Sequence, residues 1–412
     1  MVDVYDQSGR TSALEIEELV LCMQKLLRRA RASSAAVEIK NGSDLIITLL
    51  ACRPLDVTAV IVSPWLARET VDALEPDCWV RVGAKGASPV IAVDKRREGQ
   101  RAAAGECASG ITVFSSGTTG TPKASRWAWD RLAHSQPPTD RTERWGIGYV
   151  PFTFAAVAAT CQALARARTI EYVQPADLTG ATRCQPFDVV TGTPSFWRMS
   201  AIAARTAQRP PRPVEVATLG GEAVDAAIIG LIRATFAPAR IKQIFGTTEL
   251  GTLVSVDDEY PGLPYSLAGK RLPNGVAFDV KNDMLHFSAH PGAPFVGTGD
   301  MVKVVSARIL VTGRGGLAIN VGGHKVDPAY VSHIINQHPG VIGARAYPIS
   351  SSLLGNVIGI DVVPRAKCDP REFAIEIKSF AKLRLAPPER PRRVRVTDRL
   401  LLAPSGKLSF DG

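Results

Sequence analysis

A layered α/β fold is predicted by three features of this 412-residue chain. Helix-like and strand-like apolar segments alternate from residue 12 to residue 245. Four short strand-like runs follow between residues 276 and 311 and predict a β-rich subdomain. A small α/β unit then closes the chain, with a helix over residues 328–337 and strands over 358–363 and 393–396. The length exceeds what one ordinary core organises and calls for more than one subdomain.

Residues 12–32 put Leu14, Ile16, Leu19, Val20, Met23 and Leu27 on or near one helical face. Residues 46–51 are apolar and 57–62 are β-branched; 66–74 has helical character. Short strands are predicted over 80–82 and 90–93. Between residues 129 and 245 a second α/β stretch includes a strand over 188–191 and a helix over 223–236. The β-rich part is predicted over 276–281, 284–288, 301–305 and 308–311.

Hydrophobic residues at 45% and charged residues at 21% are ordinary for a globular protein in water. The first ten residues lack a basic segment leading into an apolar run, so no secretory leader is expected. No apolar run reaches the roughly 18 residues a membrane-spanning helix needs. The seven cysteines, at positions 22, 52, 78, 107, 161, 184 and 368, form no Cys-x-x-Cys pair, and their number is odd. Neither a disulfide framework nor a zinc site is expected, and a reducing cytoplasm fits. Six scattered histidines predict no metal held by protein ligands alone.

The net charge of +10 is uneven: from Arg314 onward there are 15 Lys+Arg against 8 Asp+Glu, a surplus of seven. Such a basic segment either forms a solvated face or attracts a polyanion. Its densest run, Glu389-Arg390-Pro391-Arg392-Arg393-Val394-Arg395, has no interleaved aromatics for base stacking, so nucleic acid is not expected.

The apolar run Ile111-Thr112-Val113-Phe114 enters Ser115-Ser116-Gly117-Thr118-Thr119-Gly120-Thr121-Pro122-Lys123. Glycines let successive backbone N–H groups converge on an anion; hydroxyls add donors, and Lys123 adds charge. This is a phosphate cradle, but no Walker loop, because Gly120 precedes Thr-Pro-Lys. Further along come Leu219-Gly220-Gly221-Glu222, Ile244-Phe245-Gly246-Thr247-Thr248-Glu249, Thr298-Gly299-Asp300, Gly313-Arg314 and Ala403-Pro404-Ser405-Gly406-Lys407.

These blocks, in this order, resemble those of the adenylate-forming (ANL) superfamily, closest in pattern to its acyl- and aryl-CoA ligase branch. Peptide-synthetase adenylation domains and luciferases belong to the same superfamily. The resemblance implies a large N-terminal domain over 1–312, for ATP and acid, and a small mobile α+β lid over 313–412. It implies that Ser115, Ser116, Gly117, Thr118, Thr119, Gly120 and Lys123 cradle the phosphates of ATP. Gly220, Gly221 and Glu222 would lie along the adenine, and Phe245, followed by Gly246, would stack on it. Thr248 would bond the α-phosphate and Glu249 would hold Mg2+. Asp300 and Arg314 would take the ribose. Lys407 would pair with the attacking carboxylate and the bridging oxygen. Gly322 and Gly323 would open the acceptor's access, and the hinge would fall at Gly316.

Some positions depart from the pattern. The region before the phosphate block is shorter than in most relatives. Phe154 stands near where many CoA ligases have histidine, and no acid occurs from 151 to 163, which disfavours an α-amino acid. Gly316 replaces the usual Asp or Lys, and Phe410 the usual basic residue. Phe152, Phe154, Phe196 and Trp197 fall in segments that line the acyl pocket of relatives, or else in the core; a pocket reading favours a small aromatic or apolar acid. The expected activity is acyl-adenylate formation with release of pyrophosphate, then transfer to the thiol of coenzyme A. A carrier-protein phosphopantetheine or an amine is the alternative acceptor, and a non-catalytic nucleotide binder is the remote one.

Overall fold

The computed structural model describes residues 2–82, 94–95, 109–115, 122–132, 142–180, 185–207, 209–314, 318–351 and 355–409. The chain forms two compact units, Met1–Val173 with Phe187–Thr191, and Gln174–Pro186 with Gly192–Gly412.

In the first unit, one sheet runs in the order Asp94–Lys95, Cys78–Arg81, Ser34–Glu38, Thr58–Val62, Gly110–Ser115, Lys123–Ala128. Its four middle strands are parallel and the two edge strands antiparallel. Further strands run Phe187–Gly192, Glu143–Ile147, Ala167–Tyr172, Asp3–Asp6, Gly9–Thr11, parallel until the last. Parallel strands need crossover connections, which helices Gly42–Cys52 and Phe154–Arg166 supply, while helix Ala13–Ala30 leads from one sheet to the other. Ser12 starts the first of these helices through a capping box with Glu15. That helix buries Ile16, Val20, Met23 and Leu27, spaced four, three and four apart, as one helical face requires. Each such burial contributes about 1.5–3 kcal/mol. Leu14, expected near that face, is 74% exposed because it sits two residues, about 200° of rotation, from Ile16.

The second unit holds the parallel pair Val214–Gly220 and Arg240–Thr247 with Gly251–Val256 antiparallel beyond them. Helices Pro194–Ala207 and Ala226–Phe236 belong to the same unit. An antiparallel sheet follows, in the order Leu263–Pro264, Arg308–Arg314, Val296–Val305, Met284–Ser288, Ala277–Lys281. The last sheet is built on the long hairpin Val341–Ser351 and Gly355–Pro364, with Ile319–Val321, His324–Val326 and the parallel strand Arg393–Val396. Helices Pro328–Asn336 and Pro370–Arg384 bury Val331, Ile335, Phe373 and Ile377 against it.

Most expected elements appear where the apolar patterning put them. The helix expected over 223–236 begins at Ala226, because Asp225 caps it by accepting from the Ile228 amide at 2.7 Å. The expected strand over 90–93 lies outside the described residues. The boundary expected at 313 falls inside the second unit.

Candidate active site

The second unit gathers the Gly220–Glu222 segment, the Lys407 segment and the start of helix Pro194–Ala207. Strand Val214–Gly220 is followed by Gly221 at φ +83°, a conformation that favours glycine. A Cβ at Gly221 would lie 3.6 Å from Lys407 Cε, so the lysine's aliphatic end rests over this glycine. Thr193 caps the helix by accepting from the Phe196 amide at 3.0 Å, and its hydroxyl donates to the Gly406 carbonyl at 3.5 Å. The Glu222 carboxylate accepts from the Ser195 amide at 2.8 Å, the Ser195 hydroxyl at 2.9 Å and the Leu408 amide at 3.0 Å. The residues before and after Lys407 are thereby tied to two neighbouring strand–helix turns, one at Thr193 and one at Glu222.

The far end of that tail is pinned from the last sheet. Arg345, 3% exposed, donates through Nε to the Ser409 carbonyl at 2.5 Å. Its Nη1 meets Asp361 Oδ2 at 3.0 Å, and Arg395 donates to both oxygens of Asp361 at 2.8 and 2.7 Å. Burying an arginine costs several kcal/mol unless its charge and donors are met, and here a carboxylate and a carbonyl meet them.

Gly220 pairs with Ile244 in the parallel ladder, which sets the glycine segment beside Phe245 and Gly246. A Cβ on Gly246 would come within 2.5 Å of the Gly251 carbonyl, so the close hairpin with Gly251–Val256 requires glycine there. Phe245 packs partly against the core of the β-rich sheet. Beyond the strand end, Thr247 accepts from the Leu250 amide at 3.0 Å, closing the turn that carries Thr248 and Glu249. Glu249 is exposed there. Among the described residues no cluster of three metal-ligating side chains occurs. One exposed hard carboxylate suits a Mg2+ ion that takes its other ligands from phosphate and water. Asp300 and Arg314 are directly opposite each other in the antiparallel ladder.

Gly322 and Gly323, at φ +57° and +88°, form the two-residue turn joining Ile319–Val321 to His324–Val326. A hairpin turn with positive φ at both positions asks for two glycines on its own account. Trp197 is fully buried, stacks edge-on against Phe236 at 5.3 Å and donates its indole N–H to the Thr218 carbonyl at 3.0 Å. Phe196 is 4% exposed. Of the two roles weighed for this pair, the packing gives Trp197 that of a core residue.

In the first unit, Ser115 and Lys123 face each other across the antiparallel strands that lead into and out of the phosphate block. Ser116, Gly117, Thr118, Thr119 and Gly120 lie outside the described residues, as do Gly316 and Phe410. Phe152 and Phe154 are half-buried against that unit's core, and Phe154 contacts Trp127 at 5.0 Å.

Sequence reasoning missed Thr193, Ser195 and the carboxylate role of Glu222. The signal for Thr193 was present: Thr before Pro at the first helical position is a capping pattern. Nothing local links Glu222 to residue 408.

Residues 109–297 match the AMP-binding enzyme family. A medium/long-chain-fatty-acid–CoA/3-oxocholest-4-en-26-oate–CoA ligase of Mycobacterium tuberculosis is 28% identical over 140 residues, 34% of this chain. That match spans a quarter (25%) of the relative's length. Among solved structures, an anthranilate CoA ligase in complex with anthranoyl-AMP aligns with TM-score 0.70 at 14% identity, over 99% of this chain and 92% of the other. An amide bond synthetase from Marinactinospora thermotolerans aligns with TM-score 0.67 at 17% identity, over 99% and 95%. The fold is that of adenylate-forming enzymes, with a large domain and a smaller C-terminal one.

Proposed function

We propose, from the premise that this chain belongs to the adenylate-forming (ANL) superfamily, that it activates a carboxylic acid as its acyl-adenylate and passes the acyl group to coenzyme A. The carrying observation is that Lys407 is held over Gly221 by backbone contacts on both sides. In the first step a carboxylate oxygen attacks the α-phosphorus of ATP and pyrophosphate leaves. Lys407 pairs with the attacking carboxylate and neutralises the charge that grows on the bridging oxygen as pyrophosphate departs, a contact aimed in advance at the transition state. Thr248 holds an α-phosphate oxygen. Mg2+, held by Glu249, would screen the phosphate charge. Asp300 and Arg314, rung partners in one ladder, take the ribose hydroxyls. Phe245, Gly220 and Gly221 flank the adenine, and the block from Ser115 to Lys123 takes the outer phosphates.

In the second step the thiol sulfur attacks the acyl carbon and AMP leaves as the mixed anhydride breaks. The C-terminal domain, taken from residue 313, presents the Gly322-Gly323 turn to the acceptor in that step. Coenzyme A is favoured by the ligase relatives, and the basic surplus after Arg314 suits its phosphates as well as an acidic carrier. Phe152 and Phe154 favour an apolar or aromatic acid of small size. Among the described residues no helix is long and apolar enough to cross a membrane.

ATP–pyrophosphate exchange across a panel of aliphatic, aromatic and dicarboxylic acids tests the reading. Exchange that depends on one acid class is expected; none with any acid overturns it. Supplying coenzyme A, a phosphopantetheinyl carrier or an amine in turn then identifies the acceptor.

A further inference from the structure

Helix Pro194–Ala207 carries two arginines, Arg198 and Arg205, seven residues and therefore about two turns apart, on one face. Both reach the same end of the same hairpin in the C-terminal sheet. Arg198 Nη1 donates to the Ile342 carbonyl at 2.8 Å, and Arg205 Nη1 donates to the Pro364 carbonyl. The hairpin is shaped for this. Val341 pairs with Pro364 and Gly343 with Val363, so a bulge leaves Ile342 without a cross-strand partner in the register. A bulge re-aims its residue out of the ladder, and here the carbonyl meets the guanidinium. Leu400 seals the same spot: a Cβ at Gly343 would come within 2.8 Å of its methyl.

Arg198 is 4% exposed, so its guanidinium needs a partner for its charge inside the protein. Asp225 balances it, with Nη2 at 2.8 and 3.1 Å from the two carboxylate oxygens. Asp225 is itself fixed as the cap of helix Ala226–Phe236, so the ion pair keeps its place whether or not the hairpin is there. His333, on helix Pro328–Asn336, approaches Asp225 at 3.9 Å from the C-terminal side. The ion pair thus precedes residue 313, on the side of the proposed division that carries Gly221, while the carbonyls follow it, on the side that carries Lys407.

We infer that Arg198 and Arg205 form a two-point clasp that seats the C-terminal domain in the orientation that sets Lys407 over Gly221, making them positioning residues for adenylate formation. The inference rests on the functional reading above. Lifting the hairpin leaves Arg198 Nη1 to water and removes both carbonyl contacts at once, while the transfer step needs neither. The clasp therefore biases the enzyme toward its first half-reaction.

Arg198→Lys keeps a charge for Asp225 but cannot fork to two partners, and Arg205→Met removes only the outer contact. Each is expected to lower ATP–pyrophosphate exchange by about tenfold, a one-decade shift of the docking equilibrium. ATP affinity and transfer from preformed acyl-adenylate should stay within about twofold of the parent, too small a change to count as a lost contact. Amide hydrogen exchange in residues 341–347 and 400–408 should accelerate in both variants. Unchanged pyrophosphate exchange, or equal loss of both half-reactions, overturns the clasp. If Arg198→Lys does not fold, Arg205→Met decides by the same measurements. If the parent makes no adenylate with any acid, the functional reading fails, and the clasp is judged by amide exchange alone: faster in the variants supports docking, unchanged rejects it.

Discussion

Two groups of arginines in the second unit invite comparison. Arg198 and Arg345 are buried, and each meets a carboxylate and a backbone carbonyl. Arg392, Arg393 and Arg399 lie along the exposed C-terminal surface. The net charge counts both groups alike, but their work differs. A buried guanidinium is bound to a fixed geometry, since an unmet donor there costs about 1–3 kcal/mol or more. An exposed one is screened by salt over about 10 Å and acts mainly by attraction. Charge surplus alone therefore overstates the face available to a polyanion and hides the residues that hold the tail.

The comparison breaks most visibly at Asp361. Asp361→Ala leaves Arg345 buried without its carboxylate, and a loss of about 3–5 kcal/mol in unfolding free energy is expected by denaturant titration. A surface-like loss below about 1 kcal/mol would remove the distinction between the two groups. Next comes the residue that the buried group positions. Lys407→Ala should lower ATP–pyrophosphate exchange by roughly 10²–10³, about 3–4 kcal/mol, with stability unchanged. Exchange within tenfold of the parent would sink the role of Lys407.

Asp44 sharpens the contrast, as a buried carboxylate that no arginine meets. Burial pushes its carboxyl up to about 6, and nearby Asp6 adds to the rise, against the Lys40 and Asn41 hydrogen bonds. The folded state then holds this proton more tightly than the unfolded chain. Its contribution to stability is present in acid and is lost as pH rises from about 4 through about 6. Asp44→Asn should flatten that slope and add up to about 2–3 kcal/mol at pH 7. An unaltered pH profile of the melting temperature would contradict this. The smallest effect belongs to the exposed group. Replacing Arg392, Arg393 and Arg399 with glutamine should raise the acceptor KM by about tenfold or less at low salt and leave pyrophosphate exchange intact. An acceptor KM insensitive to both mutation and ionic strength would make this a solvated face and nothing more.

Much of this was legible in the sequence because periodicity and turn chemistry are local. The strand over 284–288 and the helix near 328 needed only alternation, a capping aspartate and a proline. Helix Pro370–Arg384 was missed because Phe373, Ile377 and Ala381 are its only buried residues in a charged run. The site blocks were legible as strings, yet their couplings were not. That Glu222 would hold residue 408, or Arg198 residue 342, depends on contacts 186 and 144 residues apart, which no local pattern encodes. Gly322 and Gly323 carry the reverse lesson: the acceptor role read into them coexists with a hairpin turn whose positive φ angles favour glycine in any case.

The rung that joins Asp300 to Arg314 has a consequence for the intermediate's lifetime. Both residues belong to the β-rich sheet, and Gly316, where the resemblance puts the hinge, comes two residues after Arg314. On the proposed roles, a swing of the chain beyond would leave the nucleoside's sugar moored to the ladder that precedes it. A reactive anhydride can then wait through a slow rearrangement without drifting into solvent, where water would waste it. Escape of free acyl-AMP would be governed by this one pair of strands rather than by how fast the lid turns.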